Sequence, residues 1–415
     1  MIPKDKQPYT LPDNWQWTPL KEVAEIIMGQ SPKGDSTTKD SSYTPLIGGA
    51  ADMGNLFPVI TRYTKKPTKL SQKNDVIICV RATIGKPIFS DDKYCLGRGV
   101  AAIRPRSISK EFLRYLLINF EQYFYDKATG STFSQVSSTT LKNFPVPLPP
   151  LDEQQRIVAL LDEMFYNLDE VKALAQNVVD SSEFRRAAIL HKAFTGELTE
   201  NWRDEHGTTL DSWERRTVAS VCKGLLYGTS KKSTKLGKMI VLRMGNLQCG
   251  EIDWTDLAYS DDENDIKKYR LSKGDVLFNR TNSAVLVGKT SIYRGEYPAI
   301  YAGYLIKLDY DHDILSGEYL NYVLNSPNAK EYYNRVKTDG VNQSNINARK
   351  IGEYVIPLPP LDEQKEIVRI LDDLLGREQR AKDLAGKTLD RVEMMKKSIL
   401  ARAFRGEQIQ SKDHF

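Results

Sequence analysis

The chain has 415 residues, 40% of them hydrophobic, with 59 Lys and Arg against 54 Asp and Glu for a net charge of +5. That length leaves room for two to four domains with sizeable cores, and runs such as VIICV at Val76 are far too short to span a bilayer. Cys79, Cys95, Cys222 and Cys249 are scattered without a CxxC, which suits a reducing compartment and excludes a zinc site of the usual spacing. Nothing in the opening MIPKDKQPYT resembles a signal peptide, so a cytoplasmic protein with no membrane partner is the expectation.

Residues 1–146 read as a first globular unit. A Trp15–Trp17 pair precedes a short amphipathic helix near Leu20–Ile27, and a Gly/Ser/Lys loop, GQSPKGDSTTKDSS, follows from Gly29. The text then reads mainly as strands in TPLIGGADMGN, KNDVIICVRATIGKPIFS and LGRGVAAIRP, with β-branched runs closed by Gly, Pro or Asn-Asp turns. EFLRYLLINFEQYFYDKA at Glu111 has the spacing of one helix. A polar loop, TGSTFSQVSSTT, and a last strand lead to a pair of prolines. This part holds 20 basic against 13 acidic residues, a surplus that suits a polyanion-binding surface.

Residues 147–198 begin PLPPLDEQQRIVALLDEMF and close AAILHKAFTGE; residues 357–415 begin PLPPLDEQKEIVRILDDLL and close KSILARAFRGE, each 210 positions further on. A duplication without insertion between its ends has to be read as architecture. Each copy predicts one long helix. Prolines precede it, Asp152 or Asp362 stands in the first turn, and Gly196 or Gly406 supplies the left-handed residue that closes it.

Apolar residues keep a 3.5-residue period at Ile157, Leu161, Met164, Leu168, Val171, Ala175 and Val178, then at Ile367, Leu371, Leu374, Ala385, Val392, Met395 and Ile399. Ser182, Arg185, Glu378 and Thr388 dilute the seam, so neither helix is expected to stand alone in water, and the economical solution packs one on the other. About 45 residues at about 1.5 Å each make a rod of roughly 65 Å, a fixed spacer. A coiled coil serving only to dimerise the protein is the plainer alternative, but it needs only one copy. Phe165, Phe184 and Phe194 face outward on the helical pattern as candidates for docking partners, or for packing on the globules.

Residues 199–356 repeat the order of the first unit without repeating its sequence. Trp213 opens it, and TVASVCKGLLYG stands where the first amphipathic helix stood. IVLRMGN, GDVLFNRTNSAVLVGKTSIY, the helical GEYLNYVLNSPNAKEYYNRV and the polar TDGVNQSNINARK then follow in the same sequence as before. The helices match closely and the globules only in outline, as a fixed frame carrying two different readers would have it. The expected fold is α+β: two mixed α/β domains separated by two long helices in an antiparallel coiled coil with a pseudo-two-fold axis. Duplex DNA has a matching backbone symmetry.

PLPPLDEQ after a strand, the long helix ending AF-x-GE, and GRGVAAIRP make essentially the whole chain resemble the specificity subunit of type I restriction–modification systems. The resemblance implies that the globules are target-recognition domains, each reading one block of a split, asymmetric site in double-stranded DNA, with the helices fixing the gap. It also implies two methyltransferase subunits and restriction subunits as partners. S-adenosylmethionine, ATP and Mg are then expected on those partners and none in this chain. The residues agree by absence. No N/D-P-P-aromatic motif, Gly-rich cofactor loop, P-loop, zinc cluster or nucleophile elbow is present, so the chain is expected not to be an enzyme.

Base readers are expected among Arg, Lys, Asn, Gln, Ser and Thr on loops. In the first globule these are Lys33, Arg81, Lys86, Arg98, Ser131, Thr132 and Gln135. In the second they are Arg243, Asn246, Arg280, Asn282, Lys289, Gln343 and Asn345. Arg280 and Asn282 in FNRTNS stand out, because two side chains able to make paired hydrogen bonds flank one turn. Asp75 and Asp275 sit in equivalent K-x-D-V turns and read as structural. The alternative from another class is a two-headed protein-interaction scaffold that binds no nucleic acid.

Overall fold

A computed structural model describes residues 2–3, 7–129, 134–341 and 343–407. The chain divides into two compact units, Met1–Gln176 with Gly386–Phe415, and Asn177–Ala385.

The first unit is built on a four-stranded antiparallel sheet in the order Ala24–Met28, Val100–Pro105, Val76–Cys79, Gly85–Phe89, with Ile26 opposite Ile103 and Ile77 opposite Ala102. The central strand VIIC is buried on both faces, which is why it reads as a continuous apolar run rather than an alternating one. One face carries Val76, Ile78, Ala101 and Ile103 against Phe112, Leu116, Phe124 and Phe144; the other carries Ile77, Cys79 and Ala102 against Ile47 and Leu96. A second four-stranded sheet runs Thr37–Thr38, Tyr63–Thr64, Thr44–Ile47, Cys95–Leu96.

Both long helices enter the first core. Ile157 and Leu161, near the start of the helix Leu151–Phe194, join Ile399, Leu400, Ala403 and Phe404, near the end of the helix Leu361–Arg405. Further along, Lys172 pairs with Glu393 at 2.6 Å, and Lys396 pairs with Asp169. One sequence position rising while its partner falls is antiparallel packing.

The second unit repeats the arrangement. Its sheet order is Cys222–Tyr227, Leu305–Tyr310, Val276–Asn279, Thr290–Ile292, all antiparallel, and a three-stranded sheet runs Ala258–Ser260, Met239–Leu242, Ala299–Tyr301. Its core takes Leu190 and Ala193 from the end of the first long helix and Ile367, Leu371 and Leu375 from the start of the second. The helices are antiparallel here too. Two of the polar seam positions answer each other, with Arg185 Nε 2.7 Å from Glu378 Oε2.

The proline-rich entry to each helix is a strand clamped by a tryptophan-bearing segment. Pro145–Leu148 pairs antiparallel with Gln16–Pro19, placing Trp17 opposite Pro147; Val355–Leu358 pairs with Glu214–Thr217, placing Arg215 opposite Pro357. The closing glycines take the expected left-handed conformation, φ 87° at Gly196 and 71° at Gly406.

Four expected helices are corrected. The helix predicted over Leu20–Ile27 is one turn, Leu20–Val23, followed by the strand Ala24–Met28, and its counterpart is a 3-10 turn, Val218–Val221, before the strand Cys222–Tyr227. The β-branched residues Ile26 and Ile27 gain more from pairing with Val100–Pro105 than from a helix. The helix predicted from Glu111 breaks at Phe120 into Lys110–Asn119 and Glu121–Asp126. Its counterpart breaks into Gly317–Leu324 and Pro327–Val336, because Pro327 lacks an amide donor and Ser326 caps a new helix.

Candidate nucleic-acid interface

In the first unit three loops and one strand end converge at one edge of the sheet. The main chain after the central strand is gripped from both sides: Val80 N–H donates to Gly99 O and Val136 N–H to Val80 O, both at 2.9 Å, while Ala82 N–H donates to Ser134 O at 3.0 Å. Gly29 and Gln30 donate to Val100 O and Leu96 O, and Arg98 N–H reaches Ser31 Oγ at 3.1 Å. A Cβ on Gly29 would lie 2.1 Å from Gly97 O, so backbone meets backbone here.

The result brings Arg81, Arg98 and Gln135 to one edge, with Lys33 two residues beyond Ser31 on the adjoining loop. Lys33 and Arg98 are exposed, and Arg81 bridges Gln135. Lys86 is exposed at φ 51° on the next turn. Ser131 and Thr132 lie outside the described residues.

The second unit builds the same edge. Arg280 N–H donates to Tyr304 O at 3.0 Å, Ile346 N–H to Arg280 O at 2.9 Å, and Gly303 N–H to Thr229 O at 2.7 Å. Thr281–Asn282 pairs with Ser344–Asn345, and Asn345 Nδ2 donates to Thr281 Oγ1 at 2.7 Å, so Arg280, Asn282, Gln343 and Asn345 share one small region. Lys289 is turned toward Gln248, whose Oε1 it meets at 2.7 Å.

Asn246 differs from the other candidates. It is 2% exposed, its Oδ1 accepts from Arg243 N–H, and its Nδ2 donates to Asp253 O and Asp256 O. Its amide is consumed in shaping the turn, which leaves Arg243, paired with Asp256 at 2.9 Å, as the outward group of that loop.

Among the described residues four buried side-chain polar atoms lack a partner, and three of them are the Nε atoms of Arg81, Arg243 and Arg280. Native folds rarely leave such donors unpaired, and here three of them fall on these loops. The carboxylates at the equivalent K-x-D-V turns are spent internally. Arg104 forks onto Asp75 at 2.9 and 3.1 Å, and Lys307 lies 3.4 Å from Asp275. No group of three metal-ligating side chains occurs among the described residues.

Sequence reading missed the loop 231–238, KKSTKLGK, which follows Gly228 as the Lys33 loop follows Gly29. Lys231 and Lys238 pair with Asp262 and Glu263, while Lys232 and Lys235 stand exposed. Four lysines in eight residues were the available signal.

It also missed the glutamine of the repeated LDEQ. Gln154 is buried; its Oε1 accepts from Ser109 N–H at 2.8 Å and its Nε2 donates to Pro149 O at 2.9 Å. Gln364 does the same with Ser316 N–H at 2.9 Å and Pro359 O at 2.8 Å. Ser109 and Ser316 are the N-caps of Lys110–Asn119 and Gly317–Leu324, so each long helix is tied to its globule at the start.

Known proteins bear on this arrangement. The specificity subunit of the type I restriction enzyme EcoKI from Escherichia coli K12 is 27% identical over 96% of this chain and 90% of its own length. That of StySPI from Salmonella potsdam is 25% identical over the same shares. Among solved structures, a chain from a study of type I R-M complex assembly matches with a TM-score of 0.74 at 21% identity, over 97% of this chain and all of that one. The HsdS subunit of Thermoanaerobacter tengcongensis matches at 0.66 and 21% identity, over 97% of this chain and 99% of its own, so the fold is shared. The family model for the type I restriction modification DNA specificity domain matches twice, at residues 12–178 and 211–383, and the chain with its two loop edges belongs to that family.

Proposed function

We propose that the chain is the DNA-reading subunit of a type I restriction–modification complex, each unit reading one block of a bipartite, asymmetric double-stranded site. The observation that carries this is the loop edge built twice, each time led by an arginine with an unpaired Nε, on frames that share two antiparallel helices. The loops offer forks and amides suited to base edges, with lysines suited to phosphates. The chemistry is assigned to partners: two methyltransferase subunits using S-adenosylmethionine, and restriction subunits using ATP and Mg. The coiled coil sets the gap between blocks.

Partner docking falls to the helices. Phe165 packs edge-on against Tyr115 at 5.6 Å and Phe194 against Tyr319 at 5.8 Å, which takes both out of contention. Phe184 is 78% exposed, and Leu174 is 70% exposed. Such apolar groups on an otherwise charged helix suit a protein partner.

Co-expression with the cognate methyltransferase subunit, followed by mapping of methylated adenines, tests the reading. A split motif with a fixed gap is expected. Binding to random duplex should also weaken steeply as salt rises. Absence of both would leave the protein-scaffold reading in its place.

A further inference from the structure

Tyr227 and Arg280 form a unit within the second loop edge that sequence reading did not couple. The Arg280 guanidinium lies over the Tyr227 ring, 4.8 Å from its centroid. The ring is itself fixed, because the Tyr227 hydroxyl accepts from Ala348 N–H at 3.0 Å, at the start of the helix Ala348–Gly352. Next in the chain is Gly228, where a Cβ would sit 2.2 Å from Tyr301 O, so the strand end has no freedom to drift.

What the guanidinium does not touch is as telling. No carboxylate pairs with Arg280 among the described residues; Nη1 has one long contact, 3.4 Å to Gly303 O, and Nε is buried without a partner. Arg243, the other second-unit arginine with an unpaired Nε, is held by the Asp256 carboxylate. Arg280 is therefore a planar cation held flat by an aromatic face, with its fork largely unspent. That is the state in which an arginine pays least ordering entropy to make paired hydrogen bonds.

Resting on the DNA-recognition reading above, we infer that Arg280 reads a guanine in the block contacted by the second unit, through its O6 and N7 acceptors. Tyr227 is the positioning residue that presents the fork. Guanine offers two acceptors side by side in the major groove, matching the guanidinium edge, and no other base does. Lys in place of Arg keeps the charge and loses the fork. Phe in place of Tyr227 keeps the platform and loses only its hydroxyl bond.

The experiment uses the complex with its methyltransferase subunits and duplexes carrying the mapped site, in which guanines are replaced one at a time by 7-deazaguanine, which lacks N7. The native complex should lose about 5- to 150-fold in affinity at one guanine of one block. Arg280→Ala should bind the unmodified site that much more weakly and be indifferent to the replacement, and Arg280→Lys should bind it more weakly and lose less on replacement than the native protein does. Tyr227→Ala should lose most of the discrimination while keeping the salt dependence of binding, and Tyr227→Phe should retain both. The inference is overturned if no guanine shows the effect, if the replacement costs Arg280→Lys as much as the native protein, or if Tyr227→Ala discriminates normally. A native complex that binds no duplex would overturn the DNA reading itself, a separate failure.

Discussion

Glu153 and Glu363 occupy the same step of the repeated LDEQ, yet their surroundings have diverged. Glu363 is fully buried and accepts from Arg203 Nη1 at 2.6 Å, Thr199 Oγ1 at 2.7 Å and Trp213 Nε1 at 2.8 Å. Glu153 is half-buried and forks with Arg156, an exposed side chain three residues away. Removing one partner of a buried pair leaves the other charge stranded, whereas an exposed pair is replaced by water. Arg203→Ala should therefore cost about 3–5 kcal/mol of stability and Glu153→Ala less than about 1 kcal/mol, measured by denaturant unfolding.

The thiols separate in a similar way. Burial, opposed by Lys86, pushes Cys79 up to about 11, and burial pushes Cys222 up to about 12, while Cys95 is fully enclosed. Cys249 is exposed. The reactive species is the thiolate, which Cys79 and Cys222 form only as the pH climbs toward those values. At pH 8 a thiol reagent should label the native chain at Cys249 alone, and label the other three only after unfolding.

At the scale of elements, the two glutamine ties make a sharp case. Gln154→Ala would strand the Ser109 N–H and the Pro149 carbonyl at once, for a cost of about 2–4 kcal/mol, and Gln364→Ala should cost more, because Gln364 Nε2 also donates to Ile314 O at 2.8 Å. A larger loss at Gln364 than at Gln154, read by thermal unfolding, checks that the additional bond to Ile314 contributes. The long helices were legible because seam, prolines and closing glycines all agreed, and so was the strand VIICV, whose composition admits little else. Leu20–Ile27 was not, since its apolar spacing fits a helix and only the neighbouring strand Val100–Pro105 decides otherwise. Gln154 and Gln364 were overlooked for the same reason: a polar residue in a helical first turn looks like surface until the Ser109 and Ser316 caps are placed beside it. The loop arginines were legible as residue types, whereas the Tyr227 platform depends on a contact between strand ends 53 positions apart. Where apolar groups stay exposed on the helices, Phe184→Glu and Leu174→Glu should weaken co-purification with the methyltransferase subunit without lowering thermal stability.

For the whole molecule, each long helix starts in one compact unit and finishes in the other. On the bipartite reading, adding seven residues to both helices at facing positions keeps the heptad register and adds about 10 Å, roughly three base pairs of duplex. The methylated motif should then show a gap longer by that amount. Adding four to one helix alone shifts its seam and should block assembly. An unchanged gap in the first variant would count against the spacer.

The close glycine contact at Gly29 also bears on how such a protein changes over time. Because the loops bearing Lys33 and Arg98 are anchored by main-chain bonds, these exposed side chains are expected to contribute little to folding. On the proposed DNA-reading function, these side chains could be exchanged one at a time, and a lineage could acquire a new target preference without passing through an unstable ancestor.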